Sequence, residues 1–388
     1  MTVTGKRATL EIETFAHRKR KGWSVPRFPA LDSDHTLVTV FGGSECLDHP
    51  ERLSELIAAY PLAHVIGCST SGEIIGTTIE DDSLSVAVCR FQGTTLRSQA
   101  APVAGAGDSH RAGTEVGLGL IGPGLRAILV VCDGLNVNGS ELLRGLNEVV
   151  PESVVVTGGL AGDGDRFKRT WVVHDRQASG GFVSAVGFYG DRIRVGHGSK
   201  GGWDVFGPER VATKSSGNVL YEIDGKPALA LYKEYLGERA VGLPGTALLF
   251  PLALRESRDS TKSLVRTILS VDEAAQSMTF AGNIPQGALV RLMRANFDRL
   301  IEGASEAARL TGEGSLNVGE SLAIAISCVG RRLVLGQRAE EEVEAAKQAL
   351  PPSAKLVGFY SFGEISPFAT GRCDLHNQTM TLTHIEER

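Results

Sequence analysis

The stretch GCSTSGEI, Gly67 to Ile74, returns near the other end of the chain as GFYSFGEI, Gly358 to Ile365. Each copy follows a short apolar run, AHVI in the first case and AKLV in the second. The likeness extends backwards. From Thr36 the chain reads TLVTVF, a loop, HPERLSELIAAYP, AHVI and the turn; from Leu322 it reads LAIAISC, AEEEVEAAKQALPP, AKLV and the turn. A third copy lies between them: AILVVC, NGSELLRGLNEVVPE, SVVVT and GGLAGD, with aspartate in place of glutamate. The units Thr36–Glu73, Ala127–Asp163 and Leu322–Glu364 are nearly equal in length. A repeated supersecondary unit constrains the fold more than any composition does.

Within each unit the apolar pattern changes period. Continuous apolar runs read as buried strands, while Leu53, Leu56, Ile57 and Tyr60, and again Leu142, Leu143, Leu146 and Val150, recur at helical spacing. Asp48 suits an N-cap, Pro50 the first turn, and Pro61 a stop. Strand, helix and strand of this size predict parallel strands joined by a right-handed crossover. Each Gly-acid turn then leaves the C-terminal end of a strand, the edge where ligands bind in open α/β sheets. A further strand-like stretch follows each turn: SLSVAVCRF, GFVSAVGFYG and QTMTLTHI. If the units share one sense, the three acidic turns gather along one edge.

A chain of 388 residues predicts two domains. We expect an N-terminal tail over 1–33, one domain over 34–223 and a second over 224–388. The tail is polar and holds the basic run HRKRK at His17–Lys21, read as solvated and mobile. Net charge of −5 argues against a nucleic-acid binder acting by general electrostatic attraction. The six cysteines form no C-x-x-C pair and read as small buried hydrophobes, which fits a reduced, cytoplasmic protein. MTVTGKRATLEIETF has no apolar signal region, and no run of about 18 apolar residues predicts a membrane span.

Four features together, the GCSTSGEI turn, SKGGWDVFGP…VLYEIDGKPALALYKEYL, FAGNIPQGALVRL and GFYSFGEISP…LHNQTMTLT, resemble the FIST family over about residues 35–385. The resemblance implies an α/β protein of two related FIST domains acting as a cytoplasmic sensory module, with small ligands such as amino acids proposed for the family. It also implies a partner signalling protein, such as a histidine kinase or a cyclic-dinucleotide enzyme. One similar subgroup of stand-alone bacterial members binds haem, senses nitric oxide and regulates histidine kinases.

Candidate site residues come from the turns and the closing segment. Gly72, Gly162 and Gly363 would permit positive φ and close backbone approach, while Thr70, Ser71 and Glu73 would offer hydroxyls and a carboxylate. Asp163 and Glu364 are the matching acids; the alternative is that each acid caps its own loop. RCDLHNQTMTLTH adds Arg372, His376 and Asn377; alternation along a strand would point His376 and Gln378 one way and Asn377 and Thr379 the other. A haem would need an axial ligand, with His376 first and His174 and His197 behind it. GLGLIG precedes its strand, and no P-loop, zinc or G-x-S-x-G pattern is present. Cys68 is the one nucleophile considered, but Phe359 and Gly158 at the matching places suit packing better. The expectation is a sensor rather than an enzyme, with a Cys68-dependent enzyme and a structural adaptor as rivals.

Overall fold

The computed structural model describes residues 10–260, 262–312, 319–368 and 372–388. The three sequence repeats are three copies of one folding unit. In each, a first strand (Thr36–Gly42, Leu125–Cys132, Ser321–Cys328) pairs in parallel with a second (His64–Ser69, Val155–Leu160, Ala354–Ser361). The crossover carries a helix: Glu51–Ala59, Gly139–Val149, or the pair Val329–Leu335 and Ala339–Ala349. Asn138 caps the second unit's helix by accepting from the Glu141 N–H. Asp48 is not a cap in the first; that helix starts behind Pro50, and Asp48 instead pairs with Arg169.

A closing strand (Ser83–Arg90, Phe182–Tyr189, Met380–Glu387) then pairs antiparallel with the first strand of its own unit. Before it, each unit sends out a hairpin of short strands: Glu73–Ile75 with Thr78–Glu80, Val172–His174 with Gln177–Ser179, and Gly363–Pro367 with Cys373–His376. The hairpins are exchanged. The first unit's hairpin pairs with the second strand of the third unit, the third unit's with the second, and the second unit's with the first. A lead strand (Glu11–Arg18, Thr95–Pro102, Ile193–Lys200) borders each closing strand. All three sheets therefore share one order: borrowed hairpin, second, first, closing and lead strand. The result is a pseudo-three-fold body in which no unit completes its sheet alone.

The expected mobile tail is corrected by this order. Glu11–Arg18 is a lead strand, paired along its length from Glu11 opposite Arg90 to Arg18 opposite Ser83. Leu10 and Ile12 enter the central core, and Phe15 packs with Trp23 and Phe28 on the outer side. Residues 1–9 of that tail lie outside the described residues.

The central core lies where the three sheets face one another. It gathers Leu37, Phe41 and Ile66 from the first sheet, Leu129 and Phe188 from the second, and Ile324, Ile326 and Phe359 from the third. Phe41 and Phe359 meet with ring centroids 4.7 Å apart. Helices cover the outer faces with separate apolar layers. Between the third unit's lead strand and the helix Phe297–Thr311 the chain builds a further nine-stranded sheet, whose strands run from Asp204 to Arg294. The division expected after residue 223 falls inside that inserted sheet, where Val219–Ile223 pairs with Ser277–Phe280.

Candidate functional site

The three turns do meet, around the pseudo-axis. Ser71 N–H donates to the Tyr360 carbonyl at 2.8 Å, Phe362 to Leu160 at 3.2 Å, and Gly162 to Ser69 at 2.9 Å, one link from each unit to the next. Glu73 sits fully buried and accepts from the Thr70 hydroxyl, from the Ser83 hydroxyl at 2.8 Å and from the Ser83 N–H at 3.0 Å. Glu364 has the same surroundings, accepting from Ser361 Oγ at 2.8 Å, Thr379 Oγ1 at 2.9 Å and the Thr379 N–H at 3.1 Å. Desolvation pushes each carboxyl up to about 8, against the pull of these donors.

The second unit departs from the pattern. Register places Val172, not Asp163, at the position of Glu73 and Glu364: Val172 faces Cys68 as Glu73 faces Phe359 and Glu364 faces Gly159. Register also makes Gly159 the counterpart of Cys68, correcting Gly158. Asp163 lies in a longer loop and accepts from Ser44, Arg166 and the N–H groups of Lys168 and Arg169. Burial works to raise its pKa, yet these donors hold it below the ordinary value. Asp133 takes the place of the buried glutamates, accepting from the Gly181 N–H just before the closing strand at 2.7 Å.

The remaining turn residues are also committed. Thr70 Oγ1 accepts from the Gly72 N–H at 3.1 Å, Ser71 Oγ from the Gly164 N–H at 3.0 Å, and the Ser71 carbonyl from Arg332 at 2.6 Å. Of the three turn glycines only Gly72 has positive φ, at 130°. At Gly162 a Cβ would lie 2.3 Å from Ser71 Oγ, so there glycine serves close approach.

The closing segment divides instead of forming one wall. Cys373–His376 is a strand, but Gln378 takes a φ of 62°, so the expected alternation stops after His376. Arg372 is an exposed partner of Glu152. Asn377 is fully buried, and neither amide atom has a hydrogen bond among the described residues. His376 faces a cleft of about 610 Å³ between the third unit's lead strand and its exchanged hairpin. His197, Ser199, Lys200, Phe368 and Thr379 share the cleft. His376 Nε2–H donates to the Ser366 carbonyl at 3.0 Å, and the ring meets Phe368 edge-on at 5.0 Å. Burial, with the nearby Arg266 charge, brings His376 down to about 4 despite that carbonyl. Burial likewise lowers His197, whose Nδ1 has no partner. His174 is elsewhere, stacked on Phe182 at 4.0 Å. Lys200 and Phe368 were not singled out in the sequence; the lead strand carries no motif, and only its register brings it beside His376.

The model of the FIST N domain matches residues 36–226, and that of the FIST C domain matches residues 228–367. The chain belongs to the FIST family. FIST domains are signal-transduction modules that sense small ligands. A comparison with curated proteins gives no match. The two FIST matches meet at Pro227, while the exchanged hairpins and the inserted sheet run across that point.

Cys68 does not have the setting of a nucleophile in this FIST protein. It is fully buried in the central core, and desolvation raises its thiol well above the ordinary value. The described cysteines are all free and buried. Among the described residues no cluster of three or more His, Cys, Asp or Glu is placed to hold a metal ion, and no helix is long and apolar enough to cross a membrane.

Proposed function

We propose that this FIST protein senses a small polar ligand in the cleft between His197 and His376 and passes the occupied state to a partner signalling protein. The observation that carries this reading is the cleft of about 610 Å³ itself, lined by His376 and by His197, whose buried Nδ1 has no partner among the described residues. Beside these lining residues in sequence or register, Ser366 Oγ, both amide atoms of Asn377 and Thr383 Oγ1, opposite His197 in the sheet, also make no hydrogen bond among the described residues. An unmade buried hydrogen bond costs roughly 1–3 kcal/mol, so a ligand that supplies partners gains what the apo protein lacks. Both imidazoles are held neutral by burial and can accept as well as donate.

The signal would travel through the inserted sheet. Ser263 and Val265 line the cleft opposite the lead strand, so an occupant touches the inserted sheet and the three-sheet body together. A ligand that binds one relative orientation better shifts the population towards it. A histidine kinase or a cyclic-dinucleotide enzyme would read the new orientation.

The specific reading as a haem-based nitric-oxide sensor finds one favourable feature. His376 donates through Nε2 to a backbone carbonyl, which leaves Nδ1 as the ring's lone pair, the arrangement found behind metal-bound histidines. His376, or His197 beside it, would then be the axial ligand, with Lys200 at the cleft suited to a propionate. When bound, haem supplies an iron that takes nitric oxide. Amino acids or other small metabolites are the alternative occupants.

The test is thermal-shift screening of the purified protein, with absorbance spectra after haem titration. A saturable shift that is lost in Ser199→Ala and His197→Ala supports the cleft; a Soret band that moves with nitric oxide and is altered in His376→Ala selects haem. The absence of both a shift and a band with every ligand tried would overturn the sensory reading. Scattering profiles that coincide with and without a bound ligand would remove the reorientation.

A further inference from the structure

Arg266, at the end of strand Leu264–Arg266 in the inserted sheet, is only 4% exposed, yet it pairs with no carboxylate among the described residues. Its Nε donates to the Asn283 carbonyl at 3.2 Å and its Nη1 to the Leu375 carbonyl at 2.9 Å, with a longer bond of 3.4 Å to its neighbour Val265. Its Nη2 makes none. The contrast within this chain is Arg331, equally buried, whose Nη2 meets the Glu342 carboxylate at 2.7 Å. A buried charge without a counter-charge costs several kcal/mol. Arg266 also lines a second cleft, of about 530 Å³, bounded by the helix Gly139–Val149, the inserted sheet and the outer strand of the third unit's hairpin.

The other cations of this cleft differ from Arg266. Arg144 is held by Glu141 at 2.6 Å and Arg372 by Glu152 at 3.1 Å. Lys262 is 58% exposed and its Nζ is only loosely placed, 3.8 Å from Asp374. Three carboxylates share the walls: Glu148 is tied to His110 and Arg144, Asp374 lies near Lys262 and its charge acts on Arg266 without an ion pair to it, and Glu256 has no ion pair among the described residues. The Ser140 hydroxyl accepts from the Asn283 N–H at 3.3 Å and keeps its own proton to donate.

We propose that this second cleft binds the oxyanion group of a small metabolite, a phosphate or a carboxylate, on the open edge of Arg266 with Lys262 as the second cation. The two N–H bonds of a guanidinium nitrogen suit an oxyanion better than a lone carbonyl, and the guanidinium is already fixed by its two backbone bonds. The site is separate from the His197–His376 cleft. The closing hairpin stands between them, with Phe368 on both walls and Cys373, Asp374 and Leu375 turned to the Arg266 side. Residues from the three-sheet body and the inserted sheet meet here, a common place for ligands.

The test uses the whole chain with inorganic phosphate and with acetate, each against sodium chloride at equal ionic strength, read by thermal shift and by calorimetric titration. One of the two anions is expected to give saturable stabilisation beyond chloride, and the better of the two identifies the group. Lys262→Ala, at an exposed position, should weaken binding roughly tenfold, and Arg266→Gln should abolish it. If Arg266→Gln fails to fold, Lys262→Ala decides alone. Ser199→Ala, in the other cleft, should leave anion binding unchanged. Stabilisation that chloride matches, or an affinity indifferent to Lys262→Ala, overturns the proposal without touching the histidine-lined cleft.

Discussion

Glu73→Gln should make this protein more stable, and increasingly so as pH rises. Glu73 is fully buried, and its carboxyl is raised from an ordinary 4.5 to about 8 by desolvation. A raised carboxyl keeps its proton in the folded state over a range in which the unfolded chain has released it. Its contribution is therefore most favourable below 4.5 and is lost as pH climbs towards 8. At about 1.4 kcal/mol per pH unit, the window is worth roughly 4 to 5 kcal/mol at most. Glutamine keeps the shape of the protonated acid. Its carbonyl accepts from the Ser83 N–H and hydroxyl, its amide can donate to Thr70 Oγ1, and it has no proton to lose. Urea unfolding of wild type and variant at pH 4.5, 6, 7 and 8 should show near equality at the lowest pH and a gap of a few kcal/mol at the highest. Glu364→Gln should behave alike, because Ser361 and Thr379 repeat the surroundings of Thr70 and Ser83. A gap that stays constant with pH, or a variant destabilised throughout, would refute the claim that these carboxyls are held protonated.

His376 should give the opposite slope. Its pKa is lowered to about 4, so its neutral burial stabilises the fold above 6.5 and that contribution is lost as pH falls through 4; wild type should lose roughly 3 kcal/mol more than His376→Gln between pH 7 and 4 in urea titrations. Glu342 holds Arg331, Tyr360 and Ser327 in a wholly buried group, so Glu342→Ala should cost roughly 3 to 5 kcal/mol by chemical denaturation, leaving a guanidinium stranded. Gly358→Ala should abolish expression of folded protein, judged by circular dichroism and solubility, because a Cβ there would stand 1.9 Å from the Ala325 carbonyl oxygen.

That last glycine shows how much of the fold was legible in the sequence. Gly67, Gly158 and Gly358 hold one place in the three units, where a Cβ would strike the carbonyl of the adjacent first strand. The repeat, its strand-helix-strand order and its parallel pairing all follow from apolar periodicity and unit length. The hairpin exchange did not show, because strands of three to five residues such as Glu73–Ile75 carry too little pattern to announce a partner, let alone one in another unit. The lead strand Glu11–Arg18 was hidden by its charges: HRKRK dominates the reading, while the buried Leu10, Ile12 and Phe15 lie in a polar setting. Polar residues misled in the same way at the turns. Thr70, Ser71, Glu73 and Glu364 have the chemistry of a binding loop, but Thr70, Glu73 and Glu364 spend it within their own units, while Ser71 joins one unit to the next.

The pseudo-symmetry explains why the site lies elsewhere. Three equivalent clefts arise because each unit's lead strand faces its own departing hairpin. Register makes His197, Ser98 and Thr14 equivalent, through Thr383, Val186 and Ala87 opposite them, and makes Val155, His64 and Lys355 equivalent on the neighbouring sheet. In the first unit Lys355 spans its cleft, donating to the Ile12 carbonyl at 2.6 Å and pairing with Glu320 at 3.3 Å. In the second, His64 reaches Ser98 Oγ at 2.8 Å and ties the same gap. Only in the third is the neighbouring residue a valine, too short to bridge, and there His197 Nδ1 is left without a partner among the described residues. The same geometry is thus bridged twice by a polar side chain, though a cavity of about 440 Å³ remains beside His64 and Ser98, and left unbridged once. The residues that repeat hold the body together. Specific chemistry has to sit where a repeat is broken, and the break at Val155 and His197 is where we place the ligand. Val155→Lys should therefore close the third cleft as Lys355 closes the first: the fold should survive, with an unchanged far-ultraviolet spectrum, while ligand-induced stabilisation disappears. Undiminished ligand binding in Val155→Lys would show that the symmetry argument has chosen the wrong cleft.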